Sequence, residues 1–307
     1  MPTDKYKISV IIPTYNRSKN LEYTIKSLLK QTLSGADFEI VVADDGSSDD
    51  TFEMLRQFND VVNLRYVYQE DNGYRPASAR NLGIKVATGT FCLFIDSGII
   101  VKSDCLEAHL EAHRRQADEV AVIGYTYGYT QHGETEEELI GLVDPYDADG
   151  SMDRLVKRGR FLDIRERIYR KYGDDLSGLL ATWSLFWGGH LSVKRSTLME
   201  VGLFDEGYDG NWGCEDNDLG YRLLLAGRDL HFCREAAVLH LPHGTDLDLK
   251  RQEGYANCKY FHNKYHTAET QLFFDYYLQE ITGHEVLDFH ELILESEKLF
   301  ERTGKVA

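Results

Sequence analysis

The segment 212–218 gathers several carboxylates directly ahead of an apolar helical run. The apolar spacing predicts a helix over 215–226, with Gly227 as its stop. The dipole at a helix N-terminus favours the ionised form of a carboxylate by about 0.3–1 kcal/mol, so Asp216 can accept a proton from an incoming hydroxyl. Such a base is typical of group-transfer chemistry. Glu215 and its neighbours also suit helix capping, and for any single acid capping is the simpler interpretation.

Four further polar segments each follow a short apolar run, and they are 13–17, 44–50, 71–80 and 96–99. Tyr15 can stack on a base, and the Asp45 carboxylate can accept a uracil imide proton or a ribose hydroxyl. Arg75 and Arg80 flank a predicted helix start, and guanidinium groups with helix amides suit a diphosphate. Asp96 can meet a ribose or a divalent cation, since hard cations take oxygen ligands. Taken singly, each segment is also ordinary turn material.

A regular alternation of strand and helix positions these segments. Strands are predicted at 7–12, 38–43, 64–68, 91–95 and 120–125, and helices at 21–31, 49–58, 77–87 and 106–116. This rhythm is typical of βαβ units in a mostly parallel sheet with helices on both faces. In such sheets ligands bind beyond the carboxyl ends of the strands, which is where the four polar segments fall. The predicted fold class is α/β.

Beyond residue 126 the pattern loosens. An acidic stretch at 134–138 is followed by a basic run over 154–171, which is either a charged surface helix or an anion site. Strand character returns at 184–193, 230–233 and 238–240. From residue 246 onward, aromatic residues at helical spacing predict a helical extension packed on the main domain.

Composition limits the function classes. At 307 residues and 42% apolar content the chain can bury a sizeable core. The net charge of −17, spread along the chain, argues against a nucleic-acid partner. No apolar run approaches the ~20 residues that span a bilayer, and the first residues lack the layout of a signal peptide. We therefore expect a cytoplasmic protein without a transmembrane segment.

The cysteines predict neither a disulfide framework nor a thiolate metal site, because there are five of them and no Cys-x-x-Cys pair. They are expected to be free thiols. Cys214 lies inside the acid segment, where a small residue filling the loop is the simpler interpretation and a nucleophile is the alternative.

Taken together, these residues resemble the family 2 glycosyltransferases of the GT-A fold, which transfer a sugar from a nucleotide donor. The resemblance covers 8–103 through Pro13-Thr14-Tyr15-Asn16-Arg17, Asp44-Asp45-Gly46-Ser47, Ala79-Arg80-Asn81 and Phe94-Ile95-Asp96-Ser97-Gly98. It resumes over 187–243. There, Trp187-Gly188-Gly189-His190-Leu191-Ser192, Gly202-Leu203-Phe204-Asp205-Glu206 and Trp212-Gly213-Cys214-Glu215-Asp216 are similar to the galactosyltransferase-type C-terminal module of β-1,4-galactosyltransferases and bacterial chondroitin-type polymerases.

The resemblance implies a nucleotide-sugar donor, with uridine as the favoured nucleoside. The donor contacts that it implies are Pro13, Thr14, Tyr15, Arg17, Asp45, Arg75, Arg80, Asp96 and Ser97. It implies Asp216 as the general base and Glu215 as a residue that grips the acceptor or the donor sugar. Trp212 and Gly213 would face the acceptor, although Trp212 can equally pack beneath its loop.

A divalent cation, Mn²⁺ or Mg²⁺, is also implied by the resemblance. Asp96 corresponds to the first acid of the family's Asp-x-Asp motif, but Gly98 occupies the position of the last acid. His240 and His243 both lie where the family often supplies a histidine ligand, and spacing alone does not choose between them. Asp96, one histidine and two diphosphate oxygens would suffice for Mg²⁺ or Mn²⁺.

We therefore expect a hexosyl- or N-acetylhexosaminyltransferase that works with inversion. The expected parts are a nucleotide-sugar-binding half over 1–125, an acceptor-binding and catalytic half of the same domain over 126–245, and a helical C-terminal extension over 246–307. The acceptor is a carbohydrate, a peptide or a small molecule. A retaining transferase of the same fold and a non-catalytic sugar-binding protein are the alternatives.

Overall fold

One sheet of eight strands organises the part of the chain that the computed structural model describes. The structure describes residues 4–116, 120–131, 133–174, 176, 178–243, 247–282, 291, 294–295 and 298. The strands are β1 (Tyr6–Thr14), β2 (Phe38–Asp44), β3 (Leu64–Tyr68), β4 (Gly89–Ile95), β5 (Ile99–Val101), β6 (Ala121–Tyr127), β7 (His190–Lys194) and β8 (Leu230–His240). Their order across the sheet is β3-β2-β1-β4-β7-β6-β8-β5.

Helices cover the sheet and extend it at the C-terminal end. They are α1 (Ser18–Leu28), α2 (Thr51–Leu55), α3 (Pro76–Val86), α4 (Cys105–Arg115), α5 (Glu136–Leu142), α6 (Ala148–Arg158), α7 (Glu166–Tyr172), α8 (Arg195–Glu200), α9 (Glu215–Leu225), α10 (Leu247–Tyr265) and α11 (Ala268–Thr282). Short 3₁₀ segments lie at Arg56–Phe58, Thr182–Leu185 and Glu206–Tyr208. No helix in the described part of the chain combines the length and the apolar character that crossing a membrane requires.

The first four strands are parallel, as the sequence predicts. Apolar side chains of β1 bury on both faces of the sheet: Ile8 and Val10 pack on one side and Ile11 on the other. Two-sided burial is what a helix-covered parallel strand requires. Thr14 pairs with Asp44, so the loops that follow β1 and β2 begin side by side at one edge of the sheet.

Beyond β4 the sheet becomes mixed. Strand β7 runs antiparallel to both β4 and β6, whereas β6 and β8 are parallel. The reversal at β7 places the start of that strand beside the end of β4, with Ile95 opposite His190. The amide of Asp96 donates to the carbonyl of Gly189 at 3.4 Å. The antiparallel strand thereby brings the segment 187–190 to the same edge as the donor-side loops.

Two predicted elements of the second half are wrong in detail. The strand expected over 184–193 begins only at His190, because the preceding residues form a 3₁₀ turn and a glycine-containing loop. The two short strands expected over 230–240 are one strand, β8, whose pairing with β6 is interrupted by a bulge opposite the Gly124–Tyr125 step. The bulge resets the register so that both ends of β8 pair with β6.

The C-terminal helices pack against the sheet domain, as the aromatic spacing predicts. Phe261 of α10 is fully buried, and its ring lies 5.1 Å from that of Trp183. Phe273 of α11 meets the same tryptophan at 5.1 Å. Of the predicted extension over 246–307, residues 246, 283–290, 292–293, 296–297 and 299–307 lie outside the described residues. The proposed boundaries at residues 125 and 245 remain a prediction, and β6 runs across the first of them.

Candidate active site

The three carboxylates at the start of α9 have three different environments. The helix begins at Glu215, as predicted, after Cys214 in a left-handed conformation with φ of 70° and without a side-chain cap. Glu215 bonds to Arg80, and Asp216 bonds to backbone amides. Asp218 is fully buried in ion pairs with Arg222 and Lys264, at 2.7 Å each. Of the three, only Asp218 has a side chain whose ion pairs tie α9 to α10.

Arg80 joins the two halves of the molecule. Its Nη1 donates to Oε1 of Glu215 at 2.7 Å, and its Nη2 donates to Oδ1 of Asp96 at 3.1 Å. The guanidinium is buried, as is Glu215, whereas the Asp96 side chain is 45% exposed. We call Arg80, Asp96, Glu215 and Asp216 the acid cluster. It spans α3, the end of β4 and the start of α9, which are far apart in the sequence.

Asp216 is half-buried in this cluster. Its Oδ2 accepts the amide hydrogen of Gly188 at 2.7 Å, and its Oδ1 accepts that of Asn217 at 2.8 Å. Burial raises the pKa of Asp216 to about 7, and the charge of Glu215 adds to the rise, while the two amides and Arg80 oppose it. A carboxyl with this pKa can exchange a proton near neutral pH.

Gly188 holds the acid cluster together from the loop before β7. A Cβ built on this residue would lie 2.9 Å from Cζ of Arg80, which is closer than real side chains approach. Glycine is therefore required for the amide to reach Asp216 while the guanidinium stays in place.

Cys214 is a structural residue. Its side chain is buried, and burial raises the pKa of its thiol well above the usual range. A thiol in that state is a poor nucleophile. All five cysteines are free and buried, in agreement with the prediction of free thiols.

The predicted base-binding residues lie at the ends of β1 and β2. Asp45 is buried, and its Oδ1 accepts from Nη2 of Arg75 at 2.9 Å and from Nε2 of Gln69 at 2.6 Å. The amide of Arg75 donates to Oδ2 at 2.8 Å. The exposed ring of Tyr15 is steadied by a 3.0 Å bond from its hydroxyl to Asp71. Asp45 thus fixes the backbone and side chain of Arg75, a contact that the sequence did not predict.

The remaining donor candidates surround this edge. Thr14 and Ser97 are buried, whereas Pro13 and Arg17 are half-buried. The Thr14 carbonyl accepts the amide of Asp45 at 2.9 Å. The structure therefore brings together the predicted residues of the first two loops. It also links Asp96 through Arg80 to Glu215 at the start of α9, and the donor roles of Arg80 and Asp96 remain predictions.

His240, one of the two candidate histidines, lies close enough to Asp96 for that charge to affect its pKa. The ring of His240 stacks on Tyr129 with centroids 5.1 Å apart, and His243 lies 5.1 Å away on another side. Burial lowers the pKa of His240 to about 4; His243 adds to this effect and Asp96 opposes it. His240 is therefore neutral at physiological pH, the form in which imidazole binds a metal.

These side chains fit a divalent cation in type. Asp96 offers a half-exposed carboxylate beside a neutral imidazole, although the three side chains do not form a group with all ligand atoms within 4.8 Å of one another. Gly98 offers no third carboxylate. Oxygens from the substrate would be needed to complete such a site.

The acceptor candidates lie on a loop that α10 supports. The amide nitrogen of Asn257 reaches the carbonyl oxygens of Tyr208, Asn211 and Gly213 at 2.8–3.1 Å. The Trp212 ring is half-buried beneath Lys250, whose Nζ lies 5.1 Å from the ring centroid. Trp212 therefore packs partly against its support and keeps part of its surface open, and its role toward the acceptor remains a prediction.

Comparison with known proteins decides the family. Residues 9–175 match the family described as glycosyl transferase family 2, and residues 176–244 match one described as the N-terminal domain of galactosyltransferase. The first match covers more than half of the chain. This chain belongs to glycosyl transferase family 2.

The relatives of this family 2 glycosyltransferase include enzymes of several kinds. It is 35% identical over 266 residues to validoxylamine A glucosyltransferase of Streptomyces hygroscopicus subsp. jinggangensis, covering 87% of this chain and 63% of that protein. It is 30% identical to chondroitin synthase of Escherichia coli, over 80% of this chain and 36% of that protein. The chain thus spans less than two thirds of the length of either.

The structure of Staphylococcus aureus TarS 1-349 in complex with UDP-GlcNAc has the same fold. It superposes with a TM-score of 0.60 at 18% identity, covering 89% of this chain and 73% of that one. The GT-A fold predicted from the sequence is confirmed.

Sequence reasoning missed several residues of this glycosyltransferase's site. Tyr74 precedes Arg75. Burial raises the pKa of its hydroxyl, and the charges of Glu215, Asp96 and Asp216 add to the rise, so Tyr74 is a neighbour of the acid cluster. Tyr129 and Lys250 reach the site from a loop and a helix without a recognisable motif. The signal for Tyr74 was present in the segment 71–80, whereas Tyr129 and Lys250 depend on tertiary packing.

The predicted basic run divides between surface and core. Arg158 and Arg170 stay on the surface of their helices, but Arg165 is buried and pairs with Asp163 at 2.6 Å. The Arg165 guanidinium also lies 4.5 Å from the ring centroid of Trp187. Arg165 is therefore a core ion pair behind the loop of Gly188, which neither interpretation of the run anticipated.

Proposed function

We propose that this glycosyltransferase moves a hexosyl or N-acetylhexosaminyl group from a uridine diphosphate donor to an acceptor hydroxyl, with inversion at the anomeric carbon. The observation that carries the proposal is the acid cluster. Asp216 lies half-buried on the amide of Gly188, with a pKa of about 7. Its sequence neighbour Glu215 is tied through Arg80 to Asp96, the residue proposed to face the leaving group.

Asp216 acts as the general base in this mechanism. Its carboxylate takes the proton of the acceptor hydroxyl while the hydroxyl oxygen bonds to the anomeric carbon. The bond between that carbon and the diphosphate oxygen breaks, and the electron pair leaves with the nucleoside diphosphate. General-base catalysis of this kind contributes about 10²–10⁴ in rate when the pKa lies near the working pH.

Glu215 holds a substrate hydroxyl in the same mechanism. Oε1 is occupied by Arg80, whereas Oε2 is buried without a hydrogen-bond partner among the described residues. A buried carboxylate oxygen without a donor is costly, so a sugar hydroxyl that donates to it is favoured. Because Arg80 fixes the carboxylate, this contact orients the sugar relative to Asp216.

The leaving diphosphate is proposed to lie beside Asp96, facing Arg80, Arg17 and Lys250. Burial lowers the pKa of Lys250, and the charge of Arg17 adds to that effect while Asp96 opposes it. Two cations that repel each other across a carboxylate form a favourable place for an anion. Asp96 with His240 or His243 would hold Mn²⁺ or Mg²⁺. That cation would supply charge neutralisation on the leaving group when bound.

The nucleoside is proposed to lie over Asp45 and Tyr15. Oδ2 of Asp45 keeps a lone pair beyond the bond from the Arg75 amide, and it can accept the imide proton of uracil. Uridine is favoured because TarS, which shares the fold, has been crystallised with UDP and with UDP-GlcNAc. The other proposed donor contacts are Pro13, Thr14 and Ser97.

The acceptor is proposed to lie against Trp212 and Gly213. A partly open indole ring offers an apolar surface to the face of a sugar ring. One relative is named for validoxylamine A and another for chondroitin, so small molecules and glycan termini both belong in an acceptor screen.

A donor screen tests the proposal. UDP-glucose, UDP-galactose, UDP-GlcNAc and UDP-GalNAc would be incubated with the protein, and released UDP measured with and without Mn²⁺. We expect release from at least one donor that rises when an acceptor is added, and a product of inverted anomeric configuration by NMR. A retained configuration would contradict the role of Asp216, and binding of UDP without release from any donor would indicate a sugar-binding protein.

A further inference from the structure

A second group of polar side chains lies on the other side of the segment 187–190, inside the core. Cys105 and His109 lie one turn apart on α4, and they face His190 at the start of β7. Each is 0–3% exposed. Ser192 and His113 continue the group along β7 and α4. We call these five residues the imidazole cluster, and the proposed transfer reaction uses none of them.

The three side chains that could bind a metal converge on one point. Nε2 of His109 lies 3.0 Å from Nε2 of His190, which lies 3.6 Å from Sγ of Cys105. All three atoms lie within 4.8 Å of one another, and no other such group occurs in the described ranges. In a tetrahedral zinc site, with Zn–N near 2.0 Å and Zn–S near 2.3 Å, neighbouring ligand atoms lie about 3.3–3.6 Å apart. The observed N–S spacing of 3.6 Å fits that geometry, whereas the two nitrogens at 3.0 Å would have to separate slightly to admit the ion.

The outer nitrogen of one of the two histidines, Nδ1 of His109, is also held by a hydrogen bond. Nδ1 of His109 lies 2.9 Å from Oγ of Ser192, which lies 2.8 Å from Nε2 of His113. This contact lets Nδ1 carry the proton, so the lone pair of Nε2 faces inward. Metal-binding histidines are held in this way by a hydrogen bond to the nitrogen that does not bind the metal.

Gly124 provides the space for the His190 ring. A Cβ on this residue would come within 2.0 Å of the imidazole carbon Cε1. Burial lowers the pKa of His190 to about 3, so the ring is neutral, which is the form of a metal ligand. The His190 ring can therefore take this position only because β6 has a glycine at residue 124.

Cys233 on β8 offers a fourth ligand of the right type, although its sulfur lies outside the group of three and would have to turn toward it on binding. Cys233 on β8 has its sulfur 3.8 Å from the carbonyl oxygen of Ala108, the residue before His109 on α4. Its charge also raises the pKa of Cys105, after the larger effect of burial. Two thiolates and two neutral imidazoles would neutralise Zn²⁺, which a buried site requires.

We propose that Cys105, His109 and His190 bind a zinc ion in the core, with Cys233 as the fourth ligand. On binding, each cysteine thiol loses its proton to solvent and becomes a zinc thiolate. The ion ties α4 to β7 and β8 and supports the loop that carries Gly188. It is distinct from any cation at Asp96, which exchanges with solvent and substrate.

Metal analysis of the purified full chain tests this proposal. Protein expressed with added zinc is dialysed against EDTA, which removes a cation from the exposed Asp96 site, and its metal is measured by mass spectrometry. We expect about one zinc per chain, retained in Asp96→Asn and lost in Cys105→Ala. Cys92→Ala is the matched control, because Cys92 is a buried cysteine outside the cluster, and it should keep the zinc.

Cobalt reconstitution supplies an independent measurement on the wild-type chain. The protein is unfolded in guanidinium chloride with chelator and refolded with Co²⁺. We expect absorption from thiolate-to-cobalt charge transfer, and a higher Tm after refolding with zinc than without it. Wild-type protein that holds no metal after purification, and refolds to the same Tm with and without zinc, would overturn the proposal and leave a hydrogen-bonded chain of neutral side chains. Neither result depends on turnover, so failure here is separate from failure of the proposed transfer reaction.

Discussion

The acid cluster and the imidazole cluster lie on either side of one short loop. The amide of Gly188 bonds to Asp216, and two residues later the ring of His190 meets His109. Both clusters bring ionisable side chains together in partly or fully buried surroundings. The acid cluster contains a buried ion pair and a half-exposed carboxylate, whereas the imidazole cluster is closed and contains no acid within its contacts.

The same physical cause acts with opposite sign in the two clusters. Burial disfavours the charged form, so it raises the pKa of Asp216 to about 7 and lowers that of His190 to about 3. At neutral pH the first group is poised to exchange a proton, and the second stays neutral. Burial thus keeps His190 uncharged, and it gives the acid cluster a carboxyl for which we propose a role in proton transfer.

Asp216→Asn is the strongest test of this contrast. We expect the rate of transfer to fall by ~10²–10⁴, because the amide cannot take a proton. The Kd of UDP, measured by calorimetry, should change by less than about twofold, since the proposed donor contacts are untouched. Asp60→Asn, an exposed acid at the opposite end of the sheet, is the control. Full turnover in Asp216→Asn would remove this residue from the mechanism.

Gly188→Ala tests the loop that separates the clusters. The added methyl would lie 2.9 Å from Cζ of Arg80, so the guanidinium or the loop must move. Displacement of catalytic groups by ~1 Å costs about 10² in rate, and we expect a loss of this order with little change in Tm. Gly35→Ala is the matched control, because a Cβ there meets nothing within 4 Å. Equal rates in the two variants would show that Gly188 does not position the acid cluster.

The pH profile measures the acid cluster without mutation. The pKa of Asp216 is raised, so its reactive ionised form is absent below that pKa and complete above it. We expect kcat/KM to rise about tenfold between pH 6 and pH 8 and then to level off. A profile that is flat across this range, in the wild-type chain with saturating cation, would contradict a base of pKa about 7.

The placement of the candidate donor residues at one edge of the sheet could be predicted from the sequence because its signals are local. A parallel strand followed by a polar turn places its residues at the edge of the sheet, and the pairing of Thr14 with Asp44 puts two such turns together. The start of α9 at Glu215 was likewise predictable from its apolar stripe. The spacing of apolar and polar residues does not predict which hydrogen-bond or ion-pair partner each side chain has.

The missed features all depend on pairing between distant elements. The bond between Arg80 and Glu215 joins residues 135 positions apart, and the sequence did not predict it. Cysteine number and spacing did not predict the imidazole cluster, because Cys105 and His109 lie on α4 and His190 lies on an antiparallel strand. The rule of paired cysteines detects thiolate sites in loops, and it does not detect ligands spread over a helix and a strand.

Ser192→Ala tests the imidazole cluster, and of the four variants and conditions proposed it should have the smallest effect on the transfer rate. Ser192 is fully buried between His109 and His113, so its loss leaves two imidazole nitrogens without partners, at a cost of about 1–3 kcal/mol in unfolding free energy. The transfer rate at saturating substrate should stay within about twofold, because no reacting atom is touched. If the cluster holds zinc, the affinity for the metal should also fall, by ~10–100-fold. Ser34→Ala, an exposed serine, is the control for stability. A large loss of rate with unchanged stability would contradict this separation of the two clusters. It would show that a change confined to the imidazole cluster affects the transfer reaction on the other side of the loop.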